Sequence, residues 1–177
     1  MKTILQEAPT MPDVLDMLGR LRVASGFDVH PYVPGRRLVL AGVEIDHDHG
    51  LDGHSDADLI AHAATDALLG AAGMEDIGAL FPSDDPALEG ADSMRLLEQV
   101  VEQVRAGGSQ IINVDVVVMA QSPRLAPYRD AMRDNLARVL GIDRDRVTVR
   151  ATTTDGLGFI GRGDGAAALA TCALVRP

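Results

Sequence analysis

In the stretch "GFDVHPY", Asp28 and His30 stand two residues apart in a run that reads as the end of a β-strand. Side chains alternate along a strand, so this carboxylate and imidazole point to the same face. Such a pair supplies two of the ligands a transition metal takes. All five histidines fall between positions 30 and 62. "HSDADLIAHAATD" spaces His54, Asp58, His62 and Asp66 by four, which places a polar stripe on one face of a helix otherwise made of alanine, leucine and isoleucine. The stripe holds no lysine or arginine, so it is not a ladder of ion pairs. Asp28, His30 and His62 make a three-ligand set, the count of a catalytic zinc site that keeps a fourth position open. Asp58 or Asp66 is placed to accept the second imidazole N–H of His62. With neutral imidazoles such a centre carries about one positive charge and attracts an anion, for example a phosphate oxygen. His47 and His49 of "DHDHG" are the rival ligands; their polar, glycine-ended loop reads as surface.

A second cluster could hold phosphates. "RATTTDGLGFIGRGDG" ends a strand with three threonines and then strings glycines at 156, 158, 161, 163 and 165 beside Arg162. Glycines let backbone amides approach an anion, and threonine hydroxyls add donors. "AQSPRLAPY" offers Arg124 in a loop stiffened by Pro123 and Pro127.

These groups need a scaffold. Residues 22–30 and 37–45 read as two strands joined by the turn "PYVPG", a hairpin. "SDADLIAHAATDALLGAAG" reads as a helix with Ser55 as its N-cap and Gly70 or Gly73 as its stop. Met94, Leu97, Val101 and Val104 recur at helical spacing in "DSMRLLEQVVEQVRAGG", a scaffold helix. "IINVDVVVMA", "APYRDAMRDNLARVLG" and "DRVTVRATTT" form a βαβ unit, and "GAAALATCALV" a buried last strand. Residues 1–20 read as an appended segment, at most a short amphipathic helix, with no chemistry assigned; residues 21–177 form one domain.

The totals narrow the partners. A net charge of -10 over 177 residues argues against a nucleic-acid footprint or a basic membrane-binding face. The single cysteine, Cys172, excludes an internal disulfide framework and sits in an apolar run as a small buried hydrophobe. No apolar run approaches a membrane span, and the expected location is the cytoplasm.

In order, "GFDVHPY", "GLDGHSDADLIAHAATDALLGAAG", "DIGALFP", "NVDVVVMAQSPRLAPY" and "ATTTDGLGFIGRGDG" make the chain from about residue 22 to 175 resemble the 2-C-methyl-D-erythritol 2,4-cyclodiphosphate synthase family of the non-mevalonate isoprenoid pathway. The resemblance implies an α+β fold, a ferredoxin-like four-stranded mixed sheet packed against helices, in a homotrimer with active sites between subunits. It implies conversion of 4-diphosphocytidyl-2-C-methyl-D-erythritol 2-phosphate to the cyclic diphosphate with release of CMP. Zinc or another divalent transition metal falls on Asp28, His30 and His62, and magnesium or manganese bridges substrate phosphates near Asp155. His54 and Thr153 take the catalytic roles. The methylerythritol phosphate meets His54, Ser55, Asp76, Gly78 and Phe81, and Arg124, Leu125, Thr152, Thr153, Thr154 and Asp155 of the neighbouring subunit hold the cytidine diphosphate. Asp28, His30, Ile77, Pro82, Ser83, Asp84, Asp85, Ala120, Ala126, Phe159 and Arg162 complete the substrate contacts that the resemblance implies.

Several positions depart from the family pattern. Asp155 stands where many members carry glutamate, Arg124 where lysine is common, Ser83 where aspartate is frequent, and "GRGDG" replaces "GRGEG". From side-chain chemistry alone, the alternative is a zinc-dependent phosphate-ester hydrolase whose open position activates water, with Asp58 or Asp66 as general base. A non-enzymatic alternative is a structural zinc module, which needs a closed four-ligand site.

Overall fold

The computed structural model describes residues 10–177. The first strand, β1 (Leu21–Pro34), is 14 residues long and runs straight through the segment expected to turn. Its last three residues pair antiparallel with β4 (His49–Leu51), in the loop expected to be surface. Proline's fixed φ is close to extended, so Pro31 and Pro34 end a strand as readily as they begin a turn. The turn lies further on. Ala41 and Gly42 both adopt left-handed φ, +49° and +68°. They close a two-residue hairpin between β2 (Leu38–Leu40) and β3 (Val43–Ile45), which form a sheet of their own. Residues 37–45 are therefore two short strands rather than one.

The main sheet has five strands rather than the expected four, in the order β4-β1-β7-β5-β6. β7 (Gly165–Val175) lies at its centre, antiparallel to β1 and to β5 (Gln110–Met119). β6 (Val147–Thr152) pairs parallel with β5 and is joined to it through α5 (Arg129–Leu140), the βαβ unit read from the sequence. The chain therefore departs from the β-α-β-β-α-β order that "ferredoxin-like" denotes. It is a mixed α+β fold.

Helices α2 (Leu59–Ala72) and α4 (Ser93–Ala106) join α5 in burying the core. Met94, Leu97, Val101 and Val104 face that core, as their spacing predicts, and buried Cys172 donates to the Ala67 carbonyl. One glycine sets how closely α2 approaches β1. A Cβ on Gly26 would lie 2.2 Å from the Ala63 carbonyl oxygen and 2.6 Å from the Ala67 nitrogen. Any side chain there would push α2 off the strand that carries Asp28 and His30. The other face of the sheet is bare: Val23 (62% exposed), Phe27 (56%), Val29 (43%) and Leu169 (40%) point outward.

α2 begins later than its sequence suggests. Asp58, not Ser55, is the N-cap, and its Oδ1 accepts from the N–H groups of Ile60 and Ala61. His54 therefore precedes the helix, and the polar stripe shrinks to His62 and Asp66. Helix α1 (Met11–Gly19) is amphipathic as expected and buries none of its side chains. Among the described residues, no helix is long and apolar enough to cross a membrane.

Candidate metal centre and adjoining cavities

Alternation along β1 turns Gly26, Asp28, His30 and Tyr32 toward α2, while Phe27 and Val29 face away. Asp28 Oδ2 lies 2.9 Å from His30 Nε2 and 3.0 Å from His62 Nδ1, and the two imidazole nitrogens are 3.4 Å apart. Among the described residues, these three form the one cluster able to hold a metal ion. Burial opposes ionisation of Asp28, but the two imidazoles facing it outweigh that and hold its carboxyl well below the usual carboxylate range. Burial by itself would lower the His62 pKa; the Asp28 carboxylate overrides it and raises the imidazole above its ordinary value. Two imidazole nitrogens and a carboxylate oxygen converging on one point suit a divalent transition metal, which can take up all three lone pairs. His47 and His49 instead both turn to Asp48, at 3.3 and 2.9 Å, away from that cluster.

The second nitrogen of His62 meets groups that residue spacing does not suggest. Its Nε2 lies 2.9 Å from Ser93 Oγ and 3.2 Å from Ser55 Oγ, and Ser93 in turn bonds Asp56. Ser93 is the first residue of α4, more than 30 positions from His62. Asp58 and Asp66, the carboxylates expected in this role, are committed elsewhere. Asp58 is fully buried, accepting from the Gly42, Ile60 and Ala61 N–H groups, and Asp66 accepts from the Ile77 N–H. Both are thereby drawn away from the role of water-activating base.

His30, His62, His54 and Ser55 open on a cavity of about 590 Å³, closed opposite by Ile77, Gly78, Phe81, Pro82, Ser83 and Asp84. Ile77 and Gly78 belong to the short helix α3 (Ile77–Leu80), capped by Asp76 through the Ala79 N–H. His54 Nε2 donates to the Asp85 carbonyl at 2.9 Å, which leaves Nδ1 as its acceptor when neutral.

A second cavity, about 390 Å³, lies between the β5–α5 loop and the end of β6. Ala120, Arg124, Leu125, Ala126, Thr152 and Thr153 line it together with Arg129, a residue outside every motif of the chain. The two cavities share no residue. Thr154, Asp155, Phe159 and Arg162 fall outside both linings. Thr153 Oγ1 bonds Asp155 Oδ1 at 3.2 Å, Thr154 donates to the Leu157 carbonyl, and Arg162 pairs with Asp164. Asp155 adopts a left-handed φ of +52°. Gly161, in α6 (Gly158–Gly161), packs so tightly on Gly156 that a Cβ would lie 2.1 Å from its carbonyl carbon.

A candidate metal site set between β1 and an alanine-rich helix, beside a cavity on a five-stranded α+β scaffold, defines the class of protein. The YgbB family model matches residues 21–175, and the chain belongs to that family. It is 53% identical over 155 residues to a 2-C-methyl-D-erythritol 2,4-cyclodiphosphate synthase of Moorella thermoacetica, spanning 88% of this chain and 95% of that one. Among solved structures it resembles the bifunctional IspDF of Campylobacter jejuni, with a TM-score of 0.86 and 48% identity over 89% of this chain and 42% of the longer partner. It also resembles a Plasmodium falciparum IspF in complex with CDP, with a TM-score of 0.78 and 31% identity over 88% and 96% of the two chains.

Proposed function

We propose that this chain is a cytoplasmic 2-C-methyl-D-erythritol 2,4-cyclodiphosphate synthase. It cyclises 4-diphosphocytidyl-2-C-methyl-D-erythritol 2-phosphate and releases CMP, a phosphorus–oxygen lyase reaction of isoprenoid precursor synthesis. The carrying observation is the convergence of Asp28, His30 and His62 on the wall of an open cavity, in a chain of this family. An oxygen of the substrate's 2-phosphate attacks the β-phosphorus, the bond from that phosphorus to the bridging oxygen breaks, and CMP leaves with the electron pair. No covalent enzyme intermediate is needed.

The residues position and neutralise, as in phosphoryl transfer generally. Asp28, His30 and His62 would hold zinc or another divalent transition metal, which when bound supplies Lewis-acid polarisation of a phosphate oxygen. Asp155 would hold magnesium or manganese together with the substrate's own phosphates. His54 and Ser55 orient the methylerythritol phosphate against Asp76, Ile77, Gly78 and the segment 81–85. The Thr153 hydroxyl donates to charge developing on the transferred group. Arg124, Leu125 and the 152–155 loop hold the cytidine diphosphate, a reading supported by the CDP bound to the Plasmodium relative.

We read the active unit as a homotrimer with each site shared between neighbours. Two features support this: the metal-side and loop-side cavities have no lining residue in common, and the sheet face bearing Val23, Phe27, Val29 and Leu169 is uncovered in a single chain. Residues 1–20 act as an extension and 21–177 as the synthase domain.

The test is to incubate metal-loaded protein with the cytidine diphosphate substrate and to analyse both products. CMP with a cyclic diphosphate is expected. CMP with a linear product would make the protein a hydrolase instead, and no CMP at all would remove the reading.

A further inference from the structure

Ser93 Oγ has three polar neighbours: Asp56 Oδ1 at 2.5 Å, His62 Nε2 at 2.9 Å and Ser55 Oγ at 3.1 Å. A hydroxyl has one proton to give and two lone pairs to receive with, whereas a carboxylate only accepts. The Ser93 proton therefore goes to Asp56, and Ser93 meets its other two neighbours as an acceptor. His62 Nε2 must then carry the imidazole proton. Ser55 fits the same scheme: it accepts the Ala57 N–H at 3.2 Å and has its own proton free for Ser93. The Ser93–Asp56 bond has one allowed direction, which puts a proton on His62 Nε2, and that N–H also faces Ser55 Oγ at 3.2 Å.

The consequence appears on the other side of the ring. A neutral His62 protonated at Nε2 presents a bare lone pair at Nδ1, aimed at Asp28 Oδ2 3.0 Å away and at His30 Nε2 3.4 Å away. Lone pairs so opposed call for a positive centre between them, a metal ion or, in the metal-free chain, a proton. Asp56 is held so that it cannot release Ser93. Its Oδ2 accepts the Ser93 N–H at 3.3 Å and its Oδ1 accepts the Asp58 N–H at 3.2 Å. Ser93 is 1% exposed, so water does not compete for its hydroxyl.

We infer that Asp56 acts through Ser93 to fix the tautomer of His62, reserving Nδ1 for the metal; both are positioning residues for the centre. This rests on the metal reading given above. It extends that reading from three ligands to an Asp–Ser–His chain, built around the buried Ser93, that ties the start of α4 to the metal-facing side of α2.

The experiment uses the full chain, stripped of metal with a chelator and labelled with nitrogen-15. Zinc affinity is measured by competition with a fluorescent chelator, and imidazole nitrogen shifts report the His62 tautomer before zinc is added. Wild type is expected to bind one zinc per chain and to show His62 protonated at Nε2. Ser93→Ala should weaken zinc binding about 10- to 100-fold. Asp56→Asn should weaken it comparably while keeping a hydrogen bond to Ser93. Its amide then donates to Ser93, frees the serine proton for Nε2, and moves the imidazole proton to Nδ1. If Ser93→Ala does not fold, the near-isosteric Asp56→Asn carries the test. Wild-type zinc affinity in Asp56→Asn, or weakened affinity with His62 still protonated at Nε2, would overturn the inference and leave the metal reading standing. A wild-type chain that binds no zinc would overturn both.

Discussion

Around His62 the polar contacts join residues far apart in the chain: Asp28, Ser93 and Ser55 each meet His62, and Ser93 meets Ser55 and Asp56, across separations of 7 to 38 positions, most of them above 30. Around Thr153 the contacts are local. The hydroxyls of Thr152, Thr153 and Thr154 bond groups one to three positions away, and all of these side-chain bonds are exposed. The metal side is thus a product of tertiary packing, fixed once α2, α4 and β1 close on one another. The loop side is a pre-shaped but open edge, and in the proposed homotrimer its other wall would come from a neighbour. Packing should make the first tolerant of losing a single polar side chain in fold but not in function. The second should lose function whenever its neighbour is lost.

The strongest way to break this contrast is His62→Ala. It should abolish stoichiometric zinc binding and lower CMP release by at least about 1000-fold. The metal-free protein should still unfold within about 1 kcal/mol of wild type, because the alanine- and leucine-rich face of α2 carries the packing. Zinc titration and chemical denaturation check the two halves. A variant that still binds one zinc tightly would direct attention to His47 and His49.

Phe27→Asp tests the open edge. The side chain is 56% exposed on the bare sheet face, so the fold of one chain does not depend on it, whereas an assembly that buries it would have to bury a charge. Light scattering should show a trimer in wild type and monomers in the variant, with activity falling about 100-fold or more as shared sites come apart. A monomeric variant with full activity would mean that each site is complete within one chain.

The same contrast explains what the sequence revealed. Asp28 and His30 were legible because strand alternation is local, and His62 because it lies on a strongly patterned helix. The βαβ unit and the core positions of α4 followed from periodicity. Ser93 and Asp56 carried no such signal, since their link to His62 exists only after α2 and α4 pack together. Asp58 was misassigned for a related reason. Four-residue spacing puts it on the helix face beside His62, but it is the cap, and its Oδ2 is spent on the Gly42 N–H of the β2–β3 hairpin. The fifth strand is hidden because two prolines in "PYVPG" mask an extended segment, and the β2–β3 hairpin because its turn is a plain Ala41–Gly42 pair inside an aliphatic run. Arg129 reached the second cavity unannounced, as one more charged residue at a helix start.

Thr153→Ala sharpens the comparison from the loop side. The hydroxyl makes only local bonds, to Asp155, so its removal costs little structure. If it donates to charge that grows in the transition state, turnover should fall by up to about 100-fold, while CDP binds within about threefold of wild type. Equal losses in turnover and in CDP affinity, the latter read by calorimetry, would make Thr153 a plain binding residue.

The smallest effect is expected at Asp58, which belongs to the packed side but not to its chemistry. Burial, partly offset by the N–H donors around it, pushes this carboxyl up to about 6 from its ordinary 3.8. The folded chain therefore holds the proton more tightly than the unfolded one. Its stabilising contribution is complete below about pH 4 and is lost as the pH rises through about 6. Between pH 5 and pH 7.5 that loss comes to about 1 kcal/mol. Asp58→Asn keeps an oxygen to cap α2 but turns an amide N–H toward the Gly42 N–H, so it should be less stable than wild type at pH 7.5 by about 1 kcal/mol. It should also show a smaller stability gap between the two pH values, because the titrating group is gone. His62, with its own raised pKa, adds a pH dependence of the same sign, and part of that rise comes from the Asp58 charge, so the difference between the two proteins reports Asp58 together with its coupling to His62. Urea denaturation of the metal-free proteins at the two pH values measures the gap, and CMP release at saturating zinc should stay within about twofold of wild type. Identical gaps in the two proteins would show that the buried carboxyl titrates as an ordinary one. A collapse of turnover would instead place the β2–β3 hairpin, through Gly42, among the elements that hold the metal side in register.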